Sequence, residues 1–377
     1  MTTNLAPWCT DLRPNDEDYA IKIVDRMLAA AVAQQASDVH LHPRSDHWEV
    51  LFRLDGVLST IGQVPRSELT DPVARLMVLA HIPTYRAGQP MEGRIAKTNG
   101  NVEMRLGTFP TVHGIRAVVR LFAASNDLTS IDRLSLPEDV AADLVQLSTA
   151  CDGAVLLTGP AGSGKTTTLY ACLRQIAATK PTRSVLTIED PIESVIDSIS
   201  QSQLNSVTGM TLAASLRSAV RQDPEVLLVS EIRDVETADA VLMTALTGHL
   251  VFSSLHASDV ATALRRLLQM ELPAYLLRSG LRAVCSQRLL RRLASQPGET
   301  SHYQGRIAIA ECVRFDQGEV GEIMMNELAN GRSTSQIRRI AEQAGMISLR
   351  QRAWQLVEQR ITDEHELLRV LGREAGD

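Results

Sequence analysis

The sequence predicts an α/β fold, a mostly parallel sheet wound with helices and preceded by a smaller α+β domain. Three observations carry this. The stretch Gly159-Pro160-Ala161-Gly162-Ser163-Gly164-Lys165-Thr166 fits GxxxxGK[ST] at every position, with an apolar run, Ala154 to Thr158, entering it as a buried strand and Thr167 to Ala178 leaving it as a helix. Beyond it, apolar strands at Ser184 to Ile188, Val226 to Ser230 and His249 to Leu255 are separated by helical segments, the pattern of a parallel sheet. Before it, short alternating segments and tight-turn signals describe hairpins.

In chain order, Ile21, Val24, Leu28, Ala31 and Val32 recur at helical spacing from Tyr19 to Gln35. Val39 to His42 and Trp48 to Leu54 alternate as strands, and Asp55-Gly56 turns the chain into Val57 to Ile61. A helix is expected over Pro72 to Ala80, then strands at Gly93 to Lys97, Val102 to Phe109 and Ile115 to Leu121, with a hairpin turn at Asn99-Gly100. Ala123 to Asp127 is small and polar, the best linker. Thr334 to Leu371 is helical by pattern and carries no visible chemistry. His40 and His42 share one strand face, and a structural role is preferred there over a metal pair.

The 377 residues suffice for two domains. Hydrophobic content of 44% with 22% charged residues is ordinary for a globular protein, and no apolar run is long enough to cross a bilayer. The first residues show no secretory signal, which points to the cytoplasm. A net charge of -6 argues against a broad nucleic-acid surface. The five cysteines form no CxxC pair, so neither a disulfide framework nor a cysteine zinc site is expected.

The chemistry concentrates around Lys165. Glycines let the loop turn its N–H groups inward, the following helix presents its positive end, Lys165 adds a cation, and the Thr166 hydroxyl can hold Mg²⁺. This is a nucleoside triphosphate site. Acidic residues at the ends of neighbouring strands reach the same region: Glu189 in Thr187-Ile188-Glu189-Asp190-Pro191-Ile192-Glu193, and Glu231 after Val226-Leu227-Leu228-Val229-Ser230. The second reads as a Walker B element; Glu193 and Asp234 read equally as helix caps. His249 and His256 lie at opposite ends of one apolar strand, too far apart to share a proton or metal. His256 is placed to sense a γ-phosphate, whereas His249 could equally be a core or cap residue.

These segments, TIEDPIE, RQDPEVLLVSEIRD and TGHLVFSSLHASD after the phosphate loop, follow the order of the type II secretion and type IV pilus ATPases, which the chain resembles from about Tyr19 to Leu371. ASDVHLHP, FRLDG, MRLGTFPTVHG and VVRL are similar to that family's second N-terminal domain, and QRLLRRL, YQGRIAIAE and GMISLRQ to its C-terminal part. The resemblance implies a RecA-like ATPase domain over 132–377, a linker over 123–131, a PAS-like α+β domain over 19–122 and an extension over 1–18. It implies ATP and Mg²⁺ as ligands, with Gly159 to Thr167 cradling the nucleotide, Lys165 on phosphate, and Thr166 and Glu231 on Mg²⁺. It makes Glu189 the acidic-box residue that activates water, His249 and His256 a histidine box, and Arg94, Arg105 and Arg120 arginine fingers.

The implied activity is that of a hexameric motor powering pseudopilus or pilus assembly at the cytoplasmic face of the inner membrane through a platform protein. Pilus retraction or conjugation-type secretion is the alternative within the family, and a nucleic-acid translocase the alternative outside it. The family's two CxxC pairs are replaced by Ala294 to His302, so zinc is not expected. The extra N-terminal docking domain of larger members has no counterpart in the sequence.

Overall fold

A computed structural model describes residues 5–86, 88–98, 102–122, 129–204, 209–294, 302–317 and 319–373. The expected turn at Asn99-Gly100, most of the linker and the segment 295–301 lie outside the described residues. The chain divides into two compact units between Ala124 and Ser125.

In the first unit, α1 (Tyr19–Ala33) buries Tyr19, Ile23, Val24, Met27, Leu28 and Ala31 along one stripe. It is followed by β1 (Asp38–Pro43), β2 (His47–Leu54), β3 (Val57–Pro65), α2 (Pro72–Leu79), β4 (Met91–Thr98), β5 (Val102–Thr111) and β6 (Gly114–Phe122). The strands form one antiparallel sheet in the order β3-β2-β1-β6-β5-β4. Asp55 and Gly56 both take positive φ in the β2–β3 turn, as the Asp-Gly pair predicts. Val39, Leu41, Phe52, Met104, Leu106 and Val119 join the two helices in one core. Residues alternate with these on the opposite face, where charged side chains gather. Residues of the stretch expected as an extension pack here: Ala6 N donates to Gln63 O at 3.0 Å, and Ala6 and Cys9 are buried. Gly93 lets β4 pass under the end of α2, since a Cβ there would stand 2.4 Å from the Ala80 carbonyl oxygen.

The second unit runs α3 (Glu138–Ser148), β7 (Gly153–Thr158), α4 (Lys165–Ala178), β8 (Val185–Glu189), β9 (Ser200–Gln203), α5 (Leu212–Ala219), β10 (Val226–Val229), α6 (Val235–Leu246) and β11 (Leu250–Leu255). It continues through α7 (Val260–Gln269), α8 (Ala274–Gly280), β12 (Leu281–Leu293), β13 (Tyr303–Arg314), α9 (Val320–Ala329), α10 (Thr334–Gln343), α11 (Leu349–Glu358) and α12 (Glu364–Leu371). The sheet order is β13-β12-β7-β11-β10-β8-β9. Every pairing is parallel except β12 with β13. Strands β7, β10 and β11 are buried along their whole length, as their apolar runs require.

Two features depart from the sequence reading. Residues 281–293 and 303–314 form long strands, and the first lies directly beside β7. Cys285 and Cys312 face each other across β12 and β13 and are bonded, against the expectation of no disulfide framework; their separation of 27 residues is set by strand pairing and not by a local spacing pattern. Glu311 on β13 is buried and accepts from Val260 N at 2.8 Å and Leu349 N at 2.9 Å, so one carboxylate holds the first turns of α7 and α11. Burial pushes it up to about 7, against the pull of those two amides.

Candidate active site

The parallel register brings the C-terminal ends of β7, β8, β10 and β11 to one edge of the sheet, where a doubly wound fold binds its ligand. The loop from Gly159 to Gly164 leaves β7 and delivers the chain into α4, whose first turn has no side-chain cap. Gly159, Gly162 and Gly164 all take positive φ, and a Cβ on Gly159 would meet Ser163 Oγ at 2.4 Å. Glycine is required there on both counts. Lys165 is 9% exposed and donates from Nζ to the carbonyl oxygens of Gly159 at 2.8 Å and Pro160 at 2.9 Å. Burial pulls its ammonium below the ordinary lysine range, and Glu231 pushes back. The Ser163 hydroxyl is buried with no hydrogen-bond partner. A glycine loop opening into a helix N-terminus, an orphaned hydroxyl and an ammonium held on two loop carbonyls fit the phosphates of a nucleotide.

Glu231 follows β10. Ser253 Oγ donates to Val229 O at 2.8 Å, Ser254 Oγ to Ser230 O at 2.7 Å, and Ile232 N to Ser254 O at 2.8 Å. These bonds fix the end of β10 against β11, so Glu231 and His256 meet: Nε2 of His256 lies 3.0 Å from Oε1 of Glu231. The other ring nitrogen, Nδ1, lies 3.2 Å from the Gly159 carbonyl oxygen. Both partners are acceptors, so a ring N–H meets one of them in either tautomer. His256 thus lies between the Glu231 carboxylate and Gly159, the first residue of the loop. Arg233 closes the other side of Glu231 at 3.0 Å and reaches Asp190 at 3.7 Å.

Glu189 is present at the end of β8 but is 2% exposed. Its oxygens accept from Thr187 Oγ1 at 2.5 Å, Gln201 Nε2 at 3.0 Å and the Tyr170 hydroxyl. Tyr170 in turn accepts from Glu193 N at 3.2 Å, so this network holds the acidic segment. His249 sits at the opposite end of β11 with Nδ1 near Thr244 O and Thr247 Oγ1, at 3.2 and 3.3 Å. Within the chain it does not join the other residues.

Arg94, Arg105 and Arg120 belong to the first unit. Arg94 pairs with Arg105 across β4 and β5, and Arg105 with Arg120 across β5 and β6, so the three make one cross-strand row on the polar face. Arg94 pairs with Glu103, Arg105 with Glu92, and Arg120 with Asp38 at 3.0 Å. All three side chains are exposed.

The sequence reading missed Tyr170, Gln201 and the pair Gln287-Arg288, which abuts the loop. A Cβ on Gly159 would stand 2.6 Å from Gln287 O, and one on Gly164 the same distance from Gln287 Nε2. Only the resemblance of QRLLRRL to a family segment touched these last two.

Residues 13–369 match the family model for type II/IV secretion system proteins. The type II secretion system protein HxcR of Pseudomonas aeruginosa is 36% identical over 97% of this chain and 80% of its own length. The type IV pilus assembly ATPase PilB of Thermus thermophilus is 33% identical over 94% of this chain, which spans 43% of that relative. Among solved structures, the Legionella pneumophila ATPase DotB aligns with a TM-score of 0.76 at 25% identity, covering 98% of this chain and 99% of that one. The pilus retraction motor PilT with bound ADP aligns at 0.67 and 23% identity, covering 92% and 96%. No helix among the described residues is long and apolar enough to cross a membrane. A phosphate-loop motif with Glu231 at the neighbouring strand end, on a chain matched along nearly its whole length, makes this protein a P-loop ATPase of the type II/IV secretion system family.

Proposed function

We propose that the chain is a ring-forming, hexameric motor that hydrolyses ATP to drive assembly of a type II secretion pseudopilus or a type IV pilus. The observation that carries the chemistry is the bridge from Glu231 through His256 to Gly159. Lys165 would hold the phosphates, Thr166 and Glu231 the Mg²⁺, and Mg²⁺ would neutralise charge on the β- and γ-phosphates. Glu231 orders the attacking water. Glu189, with its oxygens engaged by three donors, anchors the acidic segment that carries Asp190 and Glu193.

His256 reports the γ-phosphate to the loop it leads into. The arginine row supplies fingers to the triphosphate of the same or a neighbouring subunit. The exposed ion pairs of Arg94 and Arg105 are weak enough to exchange for phosphate, whereas Arg120 is held by the buried Asp38. His249, remote within one chain, acts in this reading at a subunit boundary. Secretion relatives at 36% identity and assembly relatives at 33% favour assembly or secretion over retraction. The partner of such a motor is a platform protein at the inner membrane.

The test is turnover of Mg-ATP by the purified chain with light scattering in parallel. Lys165→Ala and Glu231→Gln should each abolish turnover, and a hexamer should form with nucleotide. A monomer at every concentration, or stimulation by single-stranded DNA instead of a platform protein's cytoplasmic domain, would sink the motor reading.

A further inference from the structure

Arg288 has the surroundings of a residue that works without touching substrate. It is 7% exposed on β12. Its guanidinium donates to two backbone carbonyls in different segments: Nη1 to Gln287 O at 2.9 Å, and Nη2 to Ser258 O. Gln287 O is the atom against which Gly159 is packed, and the Gln287 amide oxygen accepts from Thr168 Oγ1 of α4 at 2.9 Å. Ser258 lies two residues after His256. One side chain therefore spans the backing of the phosphate loop and the loop that carries the histidine.

Burying a cation is costly unless it is paired or well hydrogen-bonded. Arg288 makes no direct ion pair among the described residues. Its charge is offset at longer range by Glu311 and Asp259, while burial pulls its pKa below the ordinary arginine value. A neutral donor would hold one carbonyl at lower cost. What the guanidinium adds is a rigid, planar fork that fixes two carbonyls at a set separation. Thr158 Oγ1 holds Ala257 O at 3.3 Å and Arg266 Nη1 holds His256 O at 2.6 Å, so every carbonyl from 256 to 258 has a donor. Ser286 Oγ on β12 also reaches Ser258 O, at 3.5 Å, and Arg288 is the donor that holds both Ser258 O and Gln287 O.

We propose that Arg288 is a positioning residue for ATP hydrolysis, setting His256 against Glu231 and Gly159 by tying the 256–258 loop to Gln287. This rests on the reading of His256 as a working residue of the site. A misplacement of about 1 Å in such a group costs up to about 100-fold in rate.

The experiment is a double-mutant cycle in the full chain, measuring kcat and KM for Mg-ATP and the Kd of a fluorescent ATP analogue for Arg288→Met, His256→Ala and the pair. Arg288→Met should lower kcat by about 10- to 100-fold, with analogue Kd changed by less than about threefold. The pair should turn over like His256→Ala alone, because Arg288 acts through that ring. Losses that multiply, or a rise in KM with kcat intact, overturn the proposal. A silent His256→Ala overturns it too, and is distinguishable because the underlying site reading fails first. If Arg288→Met does not fold, Arg288→Lys carries the same cycle. It keeps the charge and one donor, and should give an intermediate kcat that is again non-additive with His256→Ala.

Discussion

Glu366 offers the sharpest stability test in the second unit. It lies at the third position of α12, whose cap Asp363 accepts from Glu366 N at 2.8 Å. The side chain is 0% exposed and is ringed by donors: Arg291 N at 2.9 Å, Arg291 Nε and Nη2 at 2.9 and 2.7 Å, and Arg369 Nε and Nη2 at 2.7 and 2.6 Å. Burial opposes ionisation, but the bonds from Arg369 and Arg291 outweigh it and hold the carboxyl at about 2, against an ordinary 4.5. The difference corresponds to about 3 kcal/mol at neutral pH. Because the folded-state value is depressed, this contribution is complete above about pH 4.5 and is lost as pH falls towards 2. Glu366→Gln should therefore destabilise by about 3 kcal/mol at pH 7, with the gap from the unmodified chain closing between about pH 4.5 and 2. Urea unfolding followed by the fluorescence of Trp354, the second unit's one tryptophan, reads it at several pH values. A gap under about 1 kcal/mol, or one that does not change with pH, refutes the electrostatic argument.

Other perturbations test separate parts of the molecule. Gly159→Ala forces a Cβ against Ser163 Oγ and Gln287 O and should cost at least about tenfold in nucleotide affinity by titration calorimetry; Gly162→Ala, with open space around it, should cost less. Gly93→Ala collides with the Ala80 carbonyl and should lower stability by about 1–3 kcal/mol in urea melts, leaving ATP affinity unchanged. Arg105→Ala should leave the melting temperature unmoved, since its partner Glu92 is an exposed one, yet lower kcat about 10-fold or more if the row supplies fingers; unchanged kcat removes Arg105 from the machinery.

How much of this the sequence discloses depends on how local each cause is. Strands β7, β10 and β11 are legible because both faces are buried and every residue is apolar or small. The loop from Gly159 to Thr166 is legible because its motif encodes backbone conformation directly. Glu231 and His256 are each visible, but their meeting depends on Ser253 and Ser254 fastening β11 to the end of β10, which no local pattern marks. β9 (Ser200–Gln203) is polar throughout and carries no strand signal. β12 is crowded with arginines, which obscure its alternation, so the nearness of Gln287 and Arg288 to Gly159 emerges only from the register of β12 on β7. Glu189 illustrates the reverse case: its position in the chain predicts a reacting carboxylate, but its exposure and partners depend on Tyr170, Thr187 and Gln201, from three different elements.

The double cap made by Glu311 has a mechanical consequence. Its two oxygens start two helices, α7 directly after the histidine loop and α11 in the helical tail. A carboxylate that is 2% exposed has no water to turn to if one amide withdraws. A shift of the 256–260 segment then either carries α11 with it or takes one donor from the buried carboxyl, which favours its protonated form. One side chain thus joins the segment that follows the histidine loop to the C-terminal helices, tying the two parts of the domain at a single buried point.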